Sequence, residues 1–231
     1  MPTLIVTLPA SLPTATTPCS TVLTDNDSTI LRHGQTPVSL FPEVNGGEIV
    51  AVVSAAQLSW HHLDLPKGTL DRGLFQDGNA ARLRSVLDGL LEERLLDEPE
   101  QLHYAIEPQA RPGAPVWVAA CNRAWLHAWL QALEQAGRPI ARIVPELAPS
   151  TSETPSTLLQ AVGSADAPQL LCAGPNGVAV LPLSAASVVL LGPLLNDSTA
   201  ADIVAEPAVA ALAEGLFSGR VRIETEAQRA L

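Results

Sequence analysis

The sequence contains few groups that could bind nucleic acid. Its 231 residues include 13 Lys and Arg against 24 Asp and Glu, which gives a formal net charge of -11. Lys67 is the only lysine, and the basic residues are scattered, whereas phosphate binding needs clustered Lys and Arg. The composition therefore argues against DNA or RNA as a partner and favours a basic protein.

Cysteine and long apolar runs are also scarce. Cys19, Cys121 and Cys172 are odd in number and form no CxxC pair, which is typical of reduced cytosolic thiols and not of a secreted disulfide framework. The N-terminus lacks the basic start and apolar core of a signal peptide. The most apolar stretch, 187–195, is interrupted by Gly192 and Pro193, so it falls short of the roughly 20 apolar residues of a membrane helix. We expect a soluble chain.

Motifs of the common catalytic and cofactor sites are missing. A P-loop needs a Gly-rich turn before Lys-Ser or Lys-Thr, but in Lys67-Gly68-Thr69 the glycine follows the lysine. The chain has no GxGxxG dinucleotide motif and no GxSxG nucleophile elbow. We therefore predict no catalytic residue and no cofactor.

Histidine, cysteine and tryptophan offer weaker alternatives. His61 and His62 would point to opposite faces of a strand, which disfavours a shared metal ion. Cys121 with His127 could be a nucleophile and base, but a buried structural thiol is favoured. Core packing is likewise favoured over ligand stacking for three aromatic side chains: Trp117, Trp125 and Trp129.

The first 66 residues are typical of a region of short strands. Strands are predicted over 3–8, 20–23, 29–32, 49–53 and 58–65, which are β-branched or apolar and bounded by turn residues.

Residues 67–145 contain two predicted helices. Asn79 can cap the first, whose apolar side chains recur three and four apart over 83–95 until Pro99. Asn122 caps the second, and Gly137 follows its end. Strands are predicted over 102–106, 116–121 and 140–144.

The remaining residues begin with a predicted linker over 149–155. A hairpin is expected from 170–173 and 178–181 around Gly174-Pro175-Asn176-Gly177. Further elements are predicted as a strand over 187–191, a helix over 207–217 and a strand over 221–224. The whole is a β-rich α+β chain of small layered units.

Acidic residues gather at the end of the first predicted helix. Negative charge there opposes the helix dipole, at roughly 0.3–1 kcal/mol per exposed group. Two interpretations stay open, a solvated face and a docking surface for a basic partner. In the second, Leu96 lies on the polar side of the helix with Glu92 and adds an apolar anchor. The candidate partner-binding residues are Glu92, Glu93, Leu96, Asp97, Glu98 and Glu100.

Five motifs in the middle of the chain carry a family resemblance. They are Leu65-Pro66-Lys67-Gly68, Leu90-Leu91-Glu92-Glu93, Glu98-Pro99-Glu100-Gln101-Leu102-His103, Asn122-Arg123-Ala124-Trp125-Leu126 and Arg142-Ile143-Val144-Pro145-Glu146. In order, spacing and residue type they resemble the cytoplasmic region of type II secretion system protein L. The resemblance covers about a third of the chain and is looser before residue 65.

The resemblance implies a fold and a location. The fold is an actin-like ATPase (RNase H-like) α/β fold, related to the pilus-assembly actin-like protein. It would have actin-like subdomains at 1–66 and 146–231, an inserted α/β subdomain at 67–145 and a degenerate nucleotide site. The chain would be a soluble fragment at the cytoplasmic face of the bacterial inner membrane, lacking the transmembrane helix that follows. Three arginines would then approach the cytoplasmic leaflet: Arg220, Arg222 and Arg229.

The resemblance also implies a binding module and not an enzyme. Family members recruit and anchor the secretion ATPase through its N-terminal domain; other inner-membrane platform proteins are further partners, and a homodimer is compatible. The alternative is an actin-like nucleotide-binding protein of a pilus-type assembly system, and an unrelated small-molecule-binding domain is third. Against nucleotide binding, Asp25-Asn26-Asp27-Ser28-Thr29 lacks the glycine of an actin-like phosphate loop. Cys172-Ala173-Gly174-Pro175 lacks a carboxylate and has proline where an amide donor is needed.

Overall fold

A computed structural model describes residues 1–26, 28–70, 79–151, 156–196, 201–217 and 221–230. The chain divides into a larger unit, Met1–Ala56 with Trp129–Leu231, and a smaller unit, Gln57–Ala128. Three features of the sequence analysis lie outside the described residues: part of the predicted linker over 149–155, Asp27 of the first candidate phosphate loop, and Arg220. So does the side chain of Asn79, the predicted helix cap.

Strands dominate the described chain. In order they are β1 (Thr3–Leu8), β2 (Pro18–Thr24), β3 (Ile30–Pro37), β4 (Glu48–Val53), β5 (Ser59–Leu63), β6 (Leu102–Ile106), β7 (Val116–Asn122), β8 (Arg142–Pro145), β9 (Thr157–Ser164), β10 (Ala167–Gly174), β11 (Gly177–Pro182), β12 (Ala201–Ala205) and β13 (Val221–Ile223). The α-helices are α1 (Asn79–Leu91), α2 (Arg123–Gln135), α3 (Ala185–Asn196), α4 (Ala210–Leu216) and α5 (Glu226–Arg229).

The larger unit contains two five-stranded sheets with one connectivity. The first has the order β3-β2-β1-β4-β8 and the second the order β11-β10-β9-β12-β13. In each sheet the first three strands in sequence pair antiparallel, and the last two add in parallel beside the first. The fold therefore uses the same strand plan twice.

Alternating side chains explain why these strands bury a core. In β1 the residues Leu4, Val6 and Leu8 are buried while their neighbours are half-buried, as a half-covered strand requires. In the second sheet, Leu159 and Leu170 pack with side chains of α3 and α4 in one core cluster. The predicted strands over 3–8 and 49–53 and the hairpin around Gly174 are confirmed.

The smaller unit is an antiparallel sheet with a helix against it. Its strand order is β5-β7-β6. Leu87 and Leu91 of α1 are buried with Leu63, Val116 and Val118 of the sheet. Their four-residue spacing places both side chains on one side of α1, which faces this core.

Helix α2 begins and ends as its sequence predicts. The Asn122 side chain accepts a hydrogen bond from the Trp125 amide at 2.9 Å, which caps the first turn. Gly137 adopts a left-handed φ of 69°, and the Arg138 amide donates to the Leu133 carbonyl at 2.9 Å. These are the bonds of a glycine-terminated helix. The three tryptophans are buried, which confirms their packing role.

One predicted helix ends earlier than expected, and one predicted strand is wrong. Helix α1 ends at Leu91 because the Arg94 and Leu95 amides both donate to the Leu91 carbonyl, which closes the helix with a turn. Residues 187–191 belong to helix α3 and not to a strand. Ser187 and Leu191, one helical turn apart, are both buried, so packing overrides the strand preference of Val188 and Val189.

Three elements were missed by the sequence analysis: β9, β12 and α5. The predicted helix over 207–217 begins later, at Ala210.

Candidate functional site

The acidic segment comprises Glu92, Glu93, Leu96, Asp97, Glu98 and Glu100. Its first members follow α1 in a turn, and its last member lies in the short 3-10 helix Pro99–Gln101. All six side chains are exposed, and that of Leu96 is fully exposed. None of its carboxylates forms an ion pair with a described cation. Leu96 therefore lies in the loop after α1, and not on the polar side of the helix as predicted.

Arg84 binds the backbone at the end of the acidic segment. Its Nη2 donates to the Pro99 carbonyl at 2.7 Å and to the Leu102 carbonyl at 3.1 Å. The guanidinium also lies 5.2 Å from the centre of the Tyr104 ring and 3.7 Å from the Asp88 carboxylate on the same helix. Two charge-assisted hydrogen bonds thus hold the loop backbone to α1.

Arg94 connects the same loop to strand β5. Its Nη1 donates to the His62 carbonyl at 3.2 Å. Burial lowers the pKa of His61, and the positive charge of Arg94 lowers it further. His61 is half-buried whereas His62 is exposed and stacks on Trp117 at a centroid distance of 4.6 Å. The two imidazoles thus have the different exposures that alternation along a strand predicts.

The described residues contain no cluster of three or more side chains that could hold a metal ion. All three cysteines are free and buried. Burial raises the pKa of Cys19 and of Cys121 to about 11 and raises that of Cys172. A thiol with such a pKa stays protonated at neutral pH, which disfavours Cys121 as a nucleophile.

A buried ionic network that the sequence analysis missed lies in the larger unit. This Arg229 junction comprises Arg229, Glu146, Gln160 and Glu206. Nη2 of Arg229 lies 2.5 Å from the Glu206 carboxylate. Nη1 donates to the Gln160 side chain at 3.0 Å and lies 3.5 Å from the Glu146 carboxylate. The Arg229 side chain is only 8% exposed.

Each carboxylate of the junction also accepts a backbone amide. The second oxygen of Glu146 accepts from Ala55 at 2.9 Å, and that of Glu206 accepts from Gly163 at 2.8 Å. Glu146 directly follows β8 of the first sheet, and Gln160 belongs to β9 of the second. The junction therefore ties both sheets to α5, the last helix.

The Arg229 junction borders a small cavity at the carboxyl ends of parallel strands. The cavity is lined by Thr7, Val52, Pro145, Glu226 and Arg229, among others, and these strand ends are where open α/β sheets usually bind ligands. Here α5 occupies part of that position. A sequence signal for α5 was available, because Thr225 and Gln228 form a capping box.

The surroundings of Arg222 and Arg229 do not support the expectation that these arginines face the membrane. Arg229 is buried in the junction, and Arg222 is exposed but pairs with Glu224 at 2.6 Å. An ion-paired or buried guanidinium is less available to a lipid headgroup than a free one.

The candidate phosphate loops occupy equivalent places in the duplicated fold. Asp25 to Thr29 joins β2 to β3, and Cys172 to Pro175 leads from β10 toward β11. In the first loop, the Asp25 carboxylate accepts a hydrogen bond from the Thr29 amide at 2.8 Å. This carboxylate therefore stabilises its own turn. The second presents Pro175, which has no amide hydrogen to donate.

Comparison with known proteins gives a family and a fold. The family model for protein L of the type II secretion system (T2SS) matches residues 21–160. No curated protein matches this chain.

Among solved structures, the cytoplasmic domain of EpsL, an inner-membrane component of the type II secretion system of Vibrio cholerae, is similar with a TM-score of 0.64. The two are 15% identical, and the alignment covers 100% of this chain and 92% of that one. A PilM–PilN type IV pilus biogenesis complex aligns with a TM-score of 0.49 at 12% identity, over 96% of this chain and 88% of that one. The expected actin-like fold is confirmed. No described helix has the length and apolar character to cross a membrane.

Proposed function

This chain belongs to the family of type II secretion system protein L, and we propose that it recruits and anchors the secretion ATPase at the bacterial inner membrane. The observation that carries the proposal is the family match over residues 21–160, more than half of the chain. That range includes the entire smaller unit and its acidic segment. On this proposal the chain is the cytoplasmic domain of a membrane platform protein and acts by binding, with other platform proteins as further partners.

The acidic segment is our proposed docking surface for the N-terminal domain of the ATPase. Its five carboxylates are exposed and have no described cationic partner, so a basic surface could pair with them without first breaking an internal ion pair. Leu96 adds an exposed apolar side chain among these charges. Charges of one sign steer association with a partner of the opposite sign, and an apolar anchor supplies contact area.

The Arg229 junction supports a binding role over a nucleotide-dependent one. Glu146, Glu206 and Glu226 lie in or beside the cavity at the strand ends. A triphosphate placed there would meet negative charge, and the guanidinium of Arg229, which lines the cavity, is already engaged by two carboxylates. This disfavours the alternative of an actin-like nucleotide-binding protein.

Direct binding tests the proposal. The chain would be immobilised and exposed to the purified N-terminal domain of the secretion ATPase from the same organism, with the isolated ATPase core as a control. We expect saturable binding of the N-terminal domain alone. Absence of binding at concentrations up to about 100 µM, well above the range of specific complexes, would reject ATPase recruitment by this chain.

A further inference from the structure

Two asparagines of the sequence are followed directly by glycine, Asn45 before Gly46 and Asn176 before Gly177. An asparagine in such a pair can react with its own backbone, because the glycine has no side chain to block the approach of its amide nitrogen. Asparagine is accordingly one of the thermolabile residues of proteins. Both asparagines are exposed, so exposure does not distinguish the two pairs, and the difference between them lies in the backbone around each.

Asn45 and Gly46 are the two central residues of the turn that precedes β4. The Gly47 amide donates to the Val44 carbonyl at 3.3 Å, which closes the turn. Gly46 has a left-handed φ of 67°, and a Cβ added to it would meet no atom within 4 Å. The Gly46 amide itself donates to no described backbone acceptor. Its nitrogen is therefore available for reaction, in an open turn, directly after the Asn45 side chain.

Asn176 is held in a more constrained turn. It is one of two residues between β10 and β11, and Pro175 before it has a fixed φ. Gly177 belongs to β11 and pairs with Gly174 of β10. The residues that flank a two-residue hairpin loop normally exchange backbone hydrogen bonds. The Gly177 nitrogen can thus react only after the end of the hairpin has opened, which costs free energy that the turn at Asn45 does not require.

We infer that Asn45 is a site of spontaneous deamidation and that its isoaspartyl product loosens the start of β4. The Gly46 nitrogen loses its proton to solvent and attacks Cγ of the Asn45 side chain. A C–N bond forms there, the bond from Cγ to the side-chain nitrogen breaks, and ammonia leaves. Water then opens the cyclic succinimide at either of its carbonyl groups, which leaves aspartate or isoaspartate at position 45. Water is the only co-reactant, and no atom is oxidised or reduced.

The isoaspartyl product lengthens the main chain by one carbon atom where the chain is closely packed. Gly47 lies so near to Pro2 that a Cβ on the glycine would collide with the Pro2 carbonyl oxygen. The same carbonyl accepts a hydrogen bond from the Glu48 amide at 3.1 Å, where β4 begins. Strand β4 is an interior strand of its sheet, between β1 and β8. A longer turn displaces Gly47 and Glu48 from Pro2 and therefore weakens the pairing at this end of β4.

The product also defines the class of enzyme that would act on this site. Isoaspartyl methyltransferases use S-adenosylmethionine to methylate the carboxylate of an isoaspartyl residue, and they do not methylate ordinary Asp or Glu side chains. The turn at Asn45 and Gly46 is exposed, so such an enzyme can reach it. This inference does not depend on ATPase recruitment.

Peptide mapping of the aged chain tests the site. The native chain would be kept for weeks in warm, mildly alkaline buffer, because base removes the amide proton. Trypsin then yields the peptides 33–67 and 143–220, each with one Asn-Gly pair. Mass spectrometry detects the exchange of the amide for an acid, and an isoaspartyl methyltransferase labels the isoaspartyl product. Asn45 should convert at least about tenfold faster than Asn176, because only the hairpin must first open.

Matched variants and the unfolded chain serve as controls. In urea both asparagines should convert at similar rates, since the fold is what separates them. Asn45→Gln should remove the product at position 45, because attack on the longer side chain forms a larger and less favourable ring. Asn176→Gln should leave the conversion of Asn45 unchanged within about twofold, as expected for distant sites. Circular dichroism must show both variants folded.

Urea unfolding measures the effect on β4. The isoaspartyl form, separated by chromatography, should unfold at a lower urea concentration than fresh Asn45→Asp, which has the same charge and a normal main chain. Equal conversion of Asn45 and Asn176 in the native chain, or conversion of Asn45 only in urea, would overturn the site. Equal urea midpoints of the isoaspartyl form and Asn45→Asp would overturn the loosening of β4.

Discussion

The guanidinium of Arg229 lies 2.5 Å from the carboxylate of Glu206, in a place where both side chains are largely withdrawn from solvent. This pair links the last helix of the chain to the end of β12. Glu146, from the other sheet, approaches the same guanidinium. Arg229 therefore contacts side chains from both sheets of the larger unit.

Replacing Arg229 should destabilise the larger unit strongly. Arg229→Met leaves two partly buried carboxylates without their cation, and breaking a buried pair from one side costs about 3–5 kcal/mol. Urea unfolding followed by circular dichroism measures the loss. Arg222→Met is the control, because its ion pair is solvent-exposed on the arginine side and such pairs contribute about 0–1 kcal/mol. Equal losses in the two variants would contradict a structural role of the junction.

The Arg229 junction is a feature that could not be predicted from the sequence. Strands such as β1 and helix α2 could be predicted because their alternation, caps and glycine stop are local signals. The junction could not, since its members lie up to 83 residues apart and only the tertiary fold brings them together. Helix α3 was misassigned because Val188 and Val189 favour a strand locally, while the buried contacts of Ser187 and Leu191 favour a helix.

The acidic segment could be predicted as a set of residues but not as a geometry. The carboxylates stand together in the sequence, so their clustering was visible directly. The end of α1 at Leu91 and the Arg84 bonds to Pro99 and Leu102 depend on contacts across the smaller unit. Leu96 consequently projects from a loop, fully exposed, although periodicity placed it on a helix.

Removing the charge of Arg94 should raise the pKa of His61. Burial lowers that pKa first and the Arg94 charge lowers it further, so Arg94→Gln removes only the second cause. NMR titration of the imidazole measures the pKa. Arg111→Gln is the control, since Arg111 does not contribute to the shift of His61. A pKa that stays in place, or falls, in Arg94→Gln would show that this charge does not reach His61.

The same lowered pKa gives stability a pH dependence. The folded chain holds His61 neutral at a pH where the unfolded chain already protonates it, so stability is present above the ordinary value near 6.5 and is lost as pH falls below it. His103 contributes in the same direction, because burial and then Arg123 and Arg84 lower its pKa. Thermal melts from pH 7.5 down to about 5 should follow this decline, and His61→Gln should flatten it.

The three buried thiols should react only after unfolding. Cys19 and Cys121 have pKa values of about 11 because burial disfavours the thiolate, and the thiolate is the reactive species. Ellman's reagent at pH 8 should label the native chain slowly and all three cysteines quickly in urea. Rapid labelling of one native cysteine would reveal an accessible thiol.

The raised thiol pKa values also predict alkaline sensitivity. The unfolded chain ionises these thiols near pH 9, before the folded chain does, so their contribution to stability is present below pH 9 and is lost as pH rises toward 11. Urea midpoints measured across this range should fall. Cys121→Ala should show a smaller fall than the wild-type chain.

ATP with magnesium should not bind measurably. The cavity at the strand ends is partly occupied by α5 and bordered by carboxylates. The Asp25 carboxylate accepts an amide within its own turn. Isothermal titration calorimetry should therefore give no heat beyond dilution, and a micromolar dissociation constant would contradict this.

Elemental analysis of the same sample should find no stoichiometric zinc, since the described histidines and cysteines form no ligand cluster.

Charge reversal on the acidic segment should weaken docking of the ATPase N-terminal domain. The variant Glu92→Lys/Glu93→Lys/Asp97→Lys replaces attraction for a basic partner by repulsion. We expect an increase of at least about tenfold in the dissociation constant and a slower association rate, because rim charges act mainly on encounter. Surface plasmon resonance at several salt concentrations measures both quantities, and the salt dependence should flatten or invert. Stability should change little, since the three side chains are exposed and pair with no described cation.

The matched control separates local docking from overall charge. Glu43→Lys/Glu134→Lys/Glu214→Lys changes the net charge by the same amount at three exposed carboxylates elsewhere. If the acidic segment docks the partner, the control affects affinity much less than the reversal at 92, 93 and 97. Equal losses in both triple variants would mean that only the net charge of -11 steers the partner.

An additional Leu96→Ala change tests the apolar anchor. It should raise the dissociation rate at any salt concentration, because truncating an exposed apolar contact acts on dissociation and not on encounter.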